Sequence, residues 1–453
     1  MVVKKITEDA PRPVREFSRF DGSVLLGLDS LGLRGVAQRH VPRGGRGGVW
    51  EIRCEPVEPA RLCRECGIPA PVRSSRWRRF VHTPLGKAGV HLLARCRRYE
   101  CRTCGGAWED DLSRVGAGGR RLTESAVWWA VASVVLDAMS VRSVAMTLGC
   151  SWDCANDAVL AKGLERLVDD EHRLDGVSVI GVDEHVWRHT PRGSRYVTVV
   201  VDLTPRSDGR PARLLDVVEG RSGAVFAGWL ASRSEGFRRN VRVVAMDAFA
   251  GYKEAVRRVV PHAREVLDPF HVVRLAGDRL TRCRQRLQQE ATGRRGTKHD
   301  PLYKARRILL KTRATLTDRQ RSTLGRLFGD ERNKPLEVMW GAYQKIIACY
   351  AEPDRRKARG MMHELVDSIN ARPANAPGEL MTLARTLKRR LPDVLAYFDH
   401  EFSSNGPTEA VNGRLEHLRG IALGFTNLNN YITRSLLHAG GFRQTIQEQI
   451  SQP

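Results

Sequence analysis

No stretch of this sequence is apolar enough to span a bilayer: the longest, Ala126 to Leu136, falls well short of the ~20 residues a membrane helix needs. Met1 to Pro13 mixes charges around no apolar core, so no secretory leader is expected. A GxxxxGK[ST] phosphate loop is missing, which argues against an ATP-driven motor or helicase. Cysteine is sparse, 10 in 453 residues, too few for a disulfide scaffold. Acidic residues are in deficit: 51 Asp and Glu face 75 Lys and Arg, a formal net charge of +24. An excess of that size repels itself in a folded chain and is normally matched by a polyanion. Nucleic acid is the default partner, an anionic membrane surface the competitor. At 42% hydrophobic and 28% charged residues the chain folds, and its length allows roughly two to four domains.

The few cysteines are informative through their spacing. Cys63-Arg-Glu-Cys66 is followed, 34 residues on, by Cys101-Arg-Thr-Cys104. Glycine follows each pair (Gly67; Gly105 and Gly106) and permits the tight turn that aims two thiolates at one ion. Two such knuckles suit a tetrahedral structural Zn²⁺. Cys96 competes as a ligand, Cys54 less so, and Cys150, Cys154, Cys283 and Cys349 read as core residues. The stretch between the knuckles carries Arg73, Arg76, Arg78, Arg79, Arg95, Arg97 and Arg98, a basic β-ribbon whose Arg76, Arg78 and Arg79 are candidate DNA contacts.

From Leu122 the pattern turns helical. Thr123 is placed to cap a helix over Glu124 to Met139, Ser140 a short one over Val141 to Leu148, and Ser151 a third from Trp152, after a break at Gly149-Cys150. This spacing fits a helix-turn-helix whose third helix enters the major groove. Ser151, Trp152 and Asn156 are its candidate base contacts and Lys162 a phosphate contact; Asp153 and Asp157 on that face are unfavourable for DNA. The alternative is a plain three-helix spacer.

Strand-like text follows. Val177 to Val182 ends in Asp183, Tyr196 to Asp202 and Ala212 to Val218 complete a three-strand meander, and Val241 to Met246 ends in Asp247 after an intervening helix. Glu265 to Asp268 reads as a fifth strand. Carboxylates at strand ends are oxygen ligands of the kind hard divalent ions take, and paired ions drive in-line phosphoryl displacement. The element order is that of an RNase H-like fold, which takes a further carboxylate from a later helix. Glu409 is the candidate: Pro407 opens a helix on which Glu409, Asn412 and Glu416 share one face. His185 and His189 read as structural or DNA-facing, Asp202 and Asp268 as ordinary strand-end acids. Between Arg274 and Arg321 there are 15 Lys or Arg against 4 Asp or Glu, a helical arm suited to DNA. Trp340 and Tyr343, further on, read as core.

Three blocks resemble the DDE transposases of bacterial insertion sequences, of the ISL-three type. They are Ile180-Gly-Val-Asp183-Glu-His with Tyr196 to Asp202; Met246-Asp247-Ala-Phe-Ala-Gly-Tyr252 running on to Leu267-Asp268-Pro-Phe270-His271; and Ser404-Asn405-Gly406-Pro-Thr-Glu409-Ala-Val-Asn412 followed by Gly424-Phe425-Thr-Asn427. The resemblance implies a multidomain α/β protein: an RNase H-like catalytic core interrupted by a helical insertion, preceded by a zinc-binding β module and a helix-turn-helix. The expected segments are a lead-in over 1–50, the zinc module over 51–115 and the helix-turn-helix over 116–172. The core follows over 173–272, the basic helical insertion over 273–400 and the core's completion over 401–453. It also implies that Asp183, Asp247 and Glu409 bind two Mg²⁺ ions, with Mn²⁺ an alternative, and cut the element's ends before joining the 3′-hydroxyls to target DNA. Asn412 and Arg414 would touch DNA. Partners would be double-stranded DNA (terminal inverted repeats and target) and a second copy of the chain, with no membrane, in the cytoplasm at the nucleoid. Two other readings share these features: a structure-selective nuclease of the same fold, and a transcriptional regulator with an inactive core.

Overall fold

The computed structural model describes residues 22–42, 48–116, 119–189, 194–204, 209–294, 296–371 and 376–451. Met1–Pro13 and Pro205 lie outside the described residues. The chain divides into two compact units, one of residues 1–134, 139–159 and 449–453, the other of 135–138 and 160–448.

The first unit is built on a five-stranded sheet. Its strands are β1 (Leu33–Val41), β2 (Val49–Pro56), β3 (Val72–Leu85), β4 (Ala88–Glu100) and β5 (Ala107–Glu109), in the order β1-β2-β4-β3 with β5 on β4. β3 and β4 form the expected ribbon, turning at Gly86 with φ +61°. Val90, Leu92, Ala94 and Cys96 point into the core, while Arg95 and Arg97 alternate to the other face. β1 pairs antiparallel with β2, so the sheet starts inside the stretch expected to be a lead-in. Helices Glu124–Val135, Val141–Leu148 and Trp152–Gly163 follow. The first stops short of Met139, and Ala138 takes a left-handed φ of +53° between it and the next.

The second unit holds β6 (Val179–Val186), β7 (Tyr196–Asp202), β8 (Arg213–Glu219), β9 (Val243–Met246) and β10 (Arg264–Leu267), in the order β10-β9-β6-β7-β8. β6, β7 and β8 form an antiparallel meander, β9 runs parallel to β6, and β10 parallel to β9. Ile180, Val182, Val244 and Met246 pack with residues of helices Gly223–Ala231 and Ala250–Val259. Val197, Val199, Val201 and Ala245 pack instead with Val411, Leu415 and Tyr431, from helices Gly406–Ile421 and Leu428–Ala439. The two-residue strand period therefore turns Gly181, Asp183 and Trp187 toward the second helix pair. β6 does not stop at Val182, because β7 pairs with it as far as Val186. Asp183 thus sits within a strand, not at its end.

Helices from Pro269–Thr292 to Leu391–Asp399 enclose an apolar core of their own. Trp340 and Tyr343 belong to it, at 7% and 6% exposure, so both are packing residues. Among the described residues no helix is long and apolar enough to cross a membrane.

Candidate metal centre and active site

The two CxxC turns have the same shape. Gly67 donates its N–H to the Cys63 carbonyl and Gly105 to that of Cys101, both at 3.0 Å, with φ of +70° and +73° at the two glycines. A side chain at either position would strain the backbone. All four Sγ atoms lie within 4.8 Å of one another, Cys63 to Cys104 and Cys66 to Cys101 at 3.5 Å. A tetrahedral zinc site with Zn–S bonds of about 2.3 Å has S–S edges of about 3.8 Å, so this donor set fits Zn²⁺. Backbone N–H groups of Cys66 and Glu65 hold the Cys63 thiol below its ordinary range, and those of Cys104 and Thr103 bring Cys101 down to about 6. Thiolate, the form a metal binds, is thus favoured at Cys63 and Cys101, while Cys66 and Cys104, hydrogen-bonded to their sulfurs, hold their protons, Cys104 up to about 12. Cys96 is outside this group, with its Sγ 3.5 Å from Glu109, and Cys54 donates to the Ile52 carbonyl.

The residues expected to touch DNA are dispersed more unevenly. Arg76 and Arg79 are exposed on β3 but paired, with Glu109 at 2.9 Å and Glu51 at 3.0 Å; Arg78 lies over the Phe80 ring. Ser140 caps the helix Val141–Leu148, Gly149 ends it at φ +72°, and the Ser151 hydroxyl accepts from the Cys154 N–H at 3.2 Å. Trp152 is 48% exposed, but Asn156 and Lys162 are buried at 5% and 6%. They share the inward face of their helix with Ala155 and Val159, leaving Trp152, Asp153 and Asp157 outside. Asn156 therefore does not lie on the exposed face expected to read bases, nor Lys162 where it was expected to meet a phosphate.

The carboxylate site is assembled across the second unit. Parallel pairing of β6 and β9 runs from Val179↔Val243 to Gly181↔Ala245. Pairing ends there and β9 stops at Met246, so Asp247 follows the strand directly, near enough for its charge to act on Asp183. The Glu409 helix is seated on the same strand by several contacts. Asn405 donates its side-chain amide to the Val182 carbonyl at 3.1 Å and its backbone N–H to Asp268 at 2.6 Å. A Cβ at Gly181 would stand 2.3 Å from the Thr408 hydroxyl, so this close approach requires glycine. Asn412, one turn past Glu409, donates to Asp183 Oδ2 at 3.0 Å. That contact claims Asn412 for the site, not for DNA; Arg414 is exposed, donating to the Ala212 carbonyl at 3.5 Å.

Burial pushes Asp183 up to about 6, and the negative charges of Asp247 and Glu409 push the same way against the Glu184 N–H and His271. Glu409 is raised too, by burial and then by Asp268. Half-buried carboxylates that disfavour their own charge form an oxygen donor set suited to a hard divalent cation. Among the described residues, though, only the four thiols close to within 4.8 Å as a group of three or more such ligands. The acids stand further apart.

The DDE_Tnp_ISL3 family model, described as transposase, matches residues 180–435, a span enclosing Asp183, Asp247 and Glu409. The chain belongs to this family of insertion-sequence DDE transposases. Two relatives named "Transposase for insertion sequence element IS1557", from Mycobacterium tuberculosis strains CDC 1551 / Oshkosh and ATCC 25618 / H37Rv, are each 25% identical over 424 residues. The alignments cover 87% of this chain and 89% of each relative.

Several residues at the transposase site escape a reading of single positions. His271, in the first turn of helix Pro269–Thr292, lies close enough to lower both Asp183 and Glu409, and its Nε2 is buried without a hydrogen-bond partner. Asp268 is more than a strand-end acid: it caps that helix through the Phe270 N–H and also holds Asn405. His271 and Asp268 stand in one short block, Asp268-Pro-Phe-His271, and that adjacency was the available signal. His185 stacks on Tyr431, ring centroids 6.3 Å apart, with burial bringing it down to about 4, so it is a neutral packing group.

Proposed function

We propose that this transposase binds the terminal inverted repeats of its insertion sequence, cuts the DNA at the element's ends and joins the freed 3′-hydroxyls to target DNA. Asp183, Asp247 and Glu409 are the catalytic acids, in an RNase H-like core of residues 173–272 and 401–453. The observation that supports this is the seat of the Glu409 helix on the strand of Asp183 through Asn405, Thr408 and Asn412, with Asp247, just past the strand paired to it, and Glu409 both near enough for their charges to act on Asp183. These three carboxylates would hold divalent ions, Mg²⁺ or Mn²⁺, which supply activation of the attacking oxygen and charge neutralisation at the leaving one.

The remaining work falls to the protein. Asn412 fixes the orientation of Asp183, and the Asn405 amide keeps the Glu409 helix from drifting off β6. His271, whose Nε2 is buried without a partner among the described residues and whose charge acts on Asp183 and Glu409, would hold a non-bridging phosphate oxygen once substrate is seated. The zinc module over 51–115 and the helical segment over 116–172 recognise the repeats. Phosphate contacts from the basic insertion over 273–400 supply affinity, and base contacts supply register. Two ends brought together call for at least two copies of the chain, acting in the cytoplasm.

The test incubates purified protein with labelled DNA from the element's ends and Mg²⁺. Glu409→Gln keeps shape and removes charge. It should lower cutting by about a thousandfold, some 4 kcal/mol of barrier, while leaving DNA affinity intact. Unchanged cutting removes Glu409 from the site. Cutting of branched DNA with no strand joining by wild type would replace the transposition reading with the nuclease one.

A further inference from the structure

Arg434 lies on helix Leu428–Ala439 with no counter-charge among the described residues. Four arginines are buried among the described residues: Arg97, Arg284, Arg390 and Arg434. Arg97 pairs with Glu55 at 2.8 Å, Arg284 bonds Gln288 at 2.8 Å and Arg390 pairs with Asp393 at 2.5 Å. Arg434 is 4% exposed, has no ion pair or hydrogen bond among the described residues, and its Nε is buried without a partner.

Among the described residues the charges acting on Arg434 and His438 include no acid. His438 Nδ1, one turn on along the same face, is also buried without a partner among the described residues, and Ser435 beside Arg434 faces the Tyr431 hydroxyl. The charged groups felt by His438 are Arg434, Arg414 and His417, all basic. Arg414 and His417 are exposed, His438 is half-buried and Arg434 is enclosed, so the cluster leads inward from solvent. Burial lowers the Arg434 guanidinium only to about 10, which leaves it protonated at neutral pH. A charge removed from water without a partner is among the costliest features a fold can keep. A planar donor fork beside a hydroxyl and an imidazole matches the oxygens of a phosphate.

We propose that Arg434, Ser435 and His438, with Arg414 at the mouth, form a phosphate-binding site. Its occupant is a backbone phosphate of the DNA strand leading away from the reacting phosphodiester. The anion site stands on the Arg434 geometry alone; the assignment of the phosphate to DNA rests on the transposition reading. Arg414 follows Glu409 by five residues on one helix, about 7.5 Å along its axis. Five residues also turn it about 140° around that axis, so a strand that passes the acids would reach Arg414 about two nucleotides on only by bending round the helix.

The experiment has two arms on the full chain. Thermal unfolding is first compared in chloride and in inorganic phosphate at equal ionic strength. Wild type should gain several °C in phosphate, by preferential binding to the folded state. Arg434→Met should unfold no earlier than wild type in chloride and lose that gain. A merely structural arginine would give the opposite: a lower midpoint in chloride with the phosphate gain kept, which overturns the site. Should Arg434→Met fail to fold, the exposed Arg414→Ala decides; it should reduce the gain, and an undiminished gain overturns the proposal. The second arm replaces single phosphates of the element-end duplex with neutral methylphosphonates. At one linkage wild type should lose about tenfold in affinity, 1.4 kcal/mol, while Arg434→Met is indifferent to that linkage. A phosphate gain with no such linkage assigns the site to free phosphate and overturns its assignment to DNA. Neither arm requires cutting, so a failed cleavage assay with Glu409→Gln leaves the anion result readable.

Discussion

The cysteine centre and the carboxylate centre solve the same problem, gathering negative donors, in opposite ways. The thiols come from two short turns whose own backbone N–H groups stabilise the charge, and all four sulfurs close to within 4.8 Å. Each knuckle is local in sequence and needs only its glycine. The acids come from two strands and a helix across 226 positions, Asp183 to Glu409. Burial opposes the charge of Asp183 and of Glu409, and the acids stand further apart than the thiols. A closed, self-stabilised cluster is what a structural ion requires; an open, electrostatically uncomfortable one is what substrate and exchangeable ions require. On the function proposed above, stability would be concentrated at the first centre and reactivity at the second.

The sharpest way to break this contrast is at the thiols. Cys101→Ser removes the thiolate brought down to about 6 and should take bound zinc from one per chain to near zero. Zinc binding contributes about 10–16 kcal/mol in comparable small domains, so the first unit should lose its cooperative unfolding transition. Cys96→Ser should leave zinc at one per chain, because Cys96 bonds Glu109 outside the cluster. Metal analysis with circular dichroism reads both; zinc lost from Cys96→Ser would transfer the ligand role.

At the acids the sign reverses. Asp183 titrates near 6 in the folded chain against an ordinary 3.8. Below pH 4 both folded and unfolded chains hold its proton and no penalty exists. As pH rises from about 4 to about 6 the unfolded chain releases the proton first, so stability falls, by up to about 3 kcal/mol, and stays low above. Glu409 is shifted the same way. Urea unfolding without divalent ions should show this fall for wild type and a smaller one for Asp183→Asn, with Mg²⁺ restoring stability to wild type only. Parallel profiles for the two proteins would mean that Asp183 is not the strained group.

What could be read from sequence follows the same division. The knuckles, the capped helices and the strands were legible because each depends on neighbours a few residues away. Facing and partnership were not. Asn156 and Lys162 have the residue types of DNA contacts, but tertiary packing turned their side of the helix inward. The ribbon arginines read as free positive charge, yet Glu51, Glu55, Glu100 and Glu109 are set against them by strand pairing. Composition cannot show that register. Asp183 appeared to end a strand because the apolar run stops at Val182, whereas pairing with β7 carries the strand on to Val186.

The smallest effect tests the join between helix and strand. Asn412 read as a DNA contact, but its amide is spent on Asp183 Oδ2 across 229 positions of sequence. Its Oδ1 is buried without a partner, so the side chain has no second hold to keep it there. Asn412→Ala should therefore free the Asp183 carboxylate to rotate while leaving all three acids in place. Loss of a residue that orients a metal ligand typically costs about 10–100-fold in metal affinity or activity. The expected result is a raised Mg²⁺ requirement for cutting, with affinity for element-end DNA unchanged and partial recovery at high Mn²⁺. A true DNA contact would give the converse, weaker DNA binding at an unaltered Mg²⁺ requirement. Because the two outcomes move different measurements, one titration of metal and one of DNA decide whether Asn412 serves the acids or the substrate.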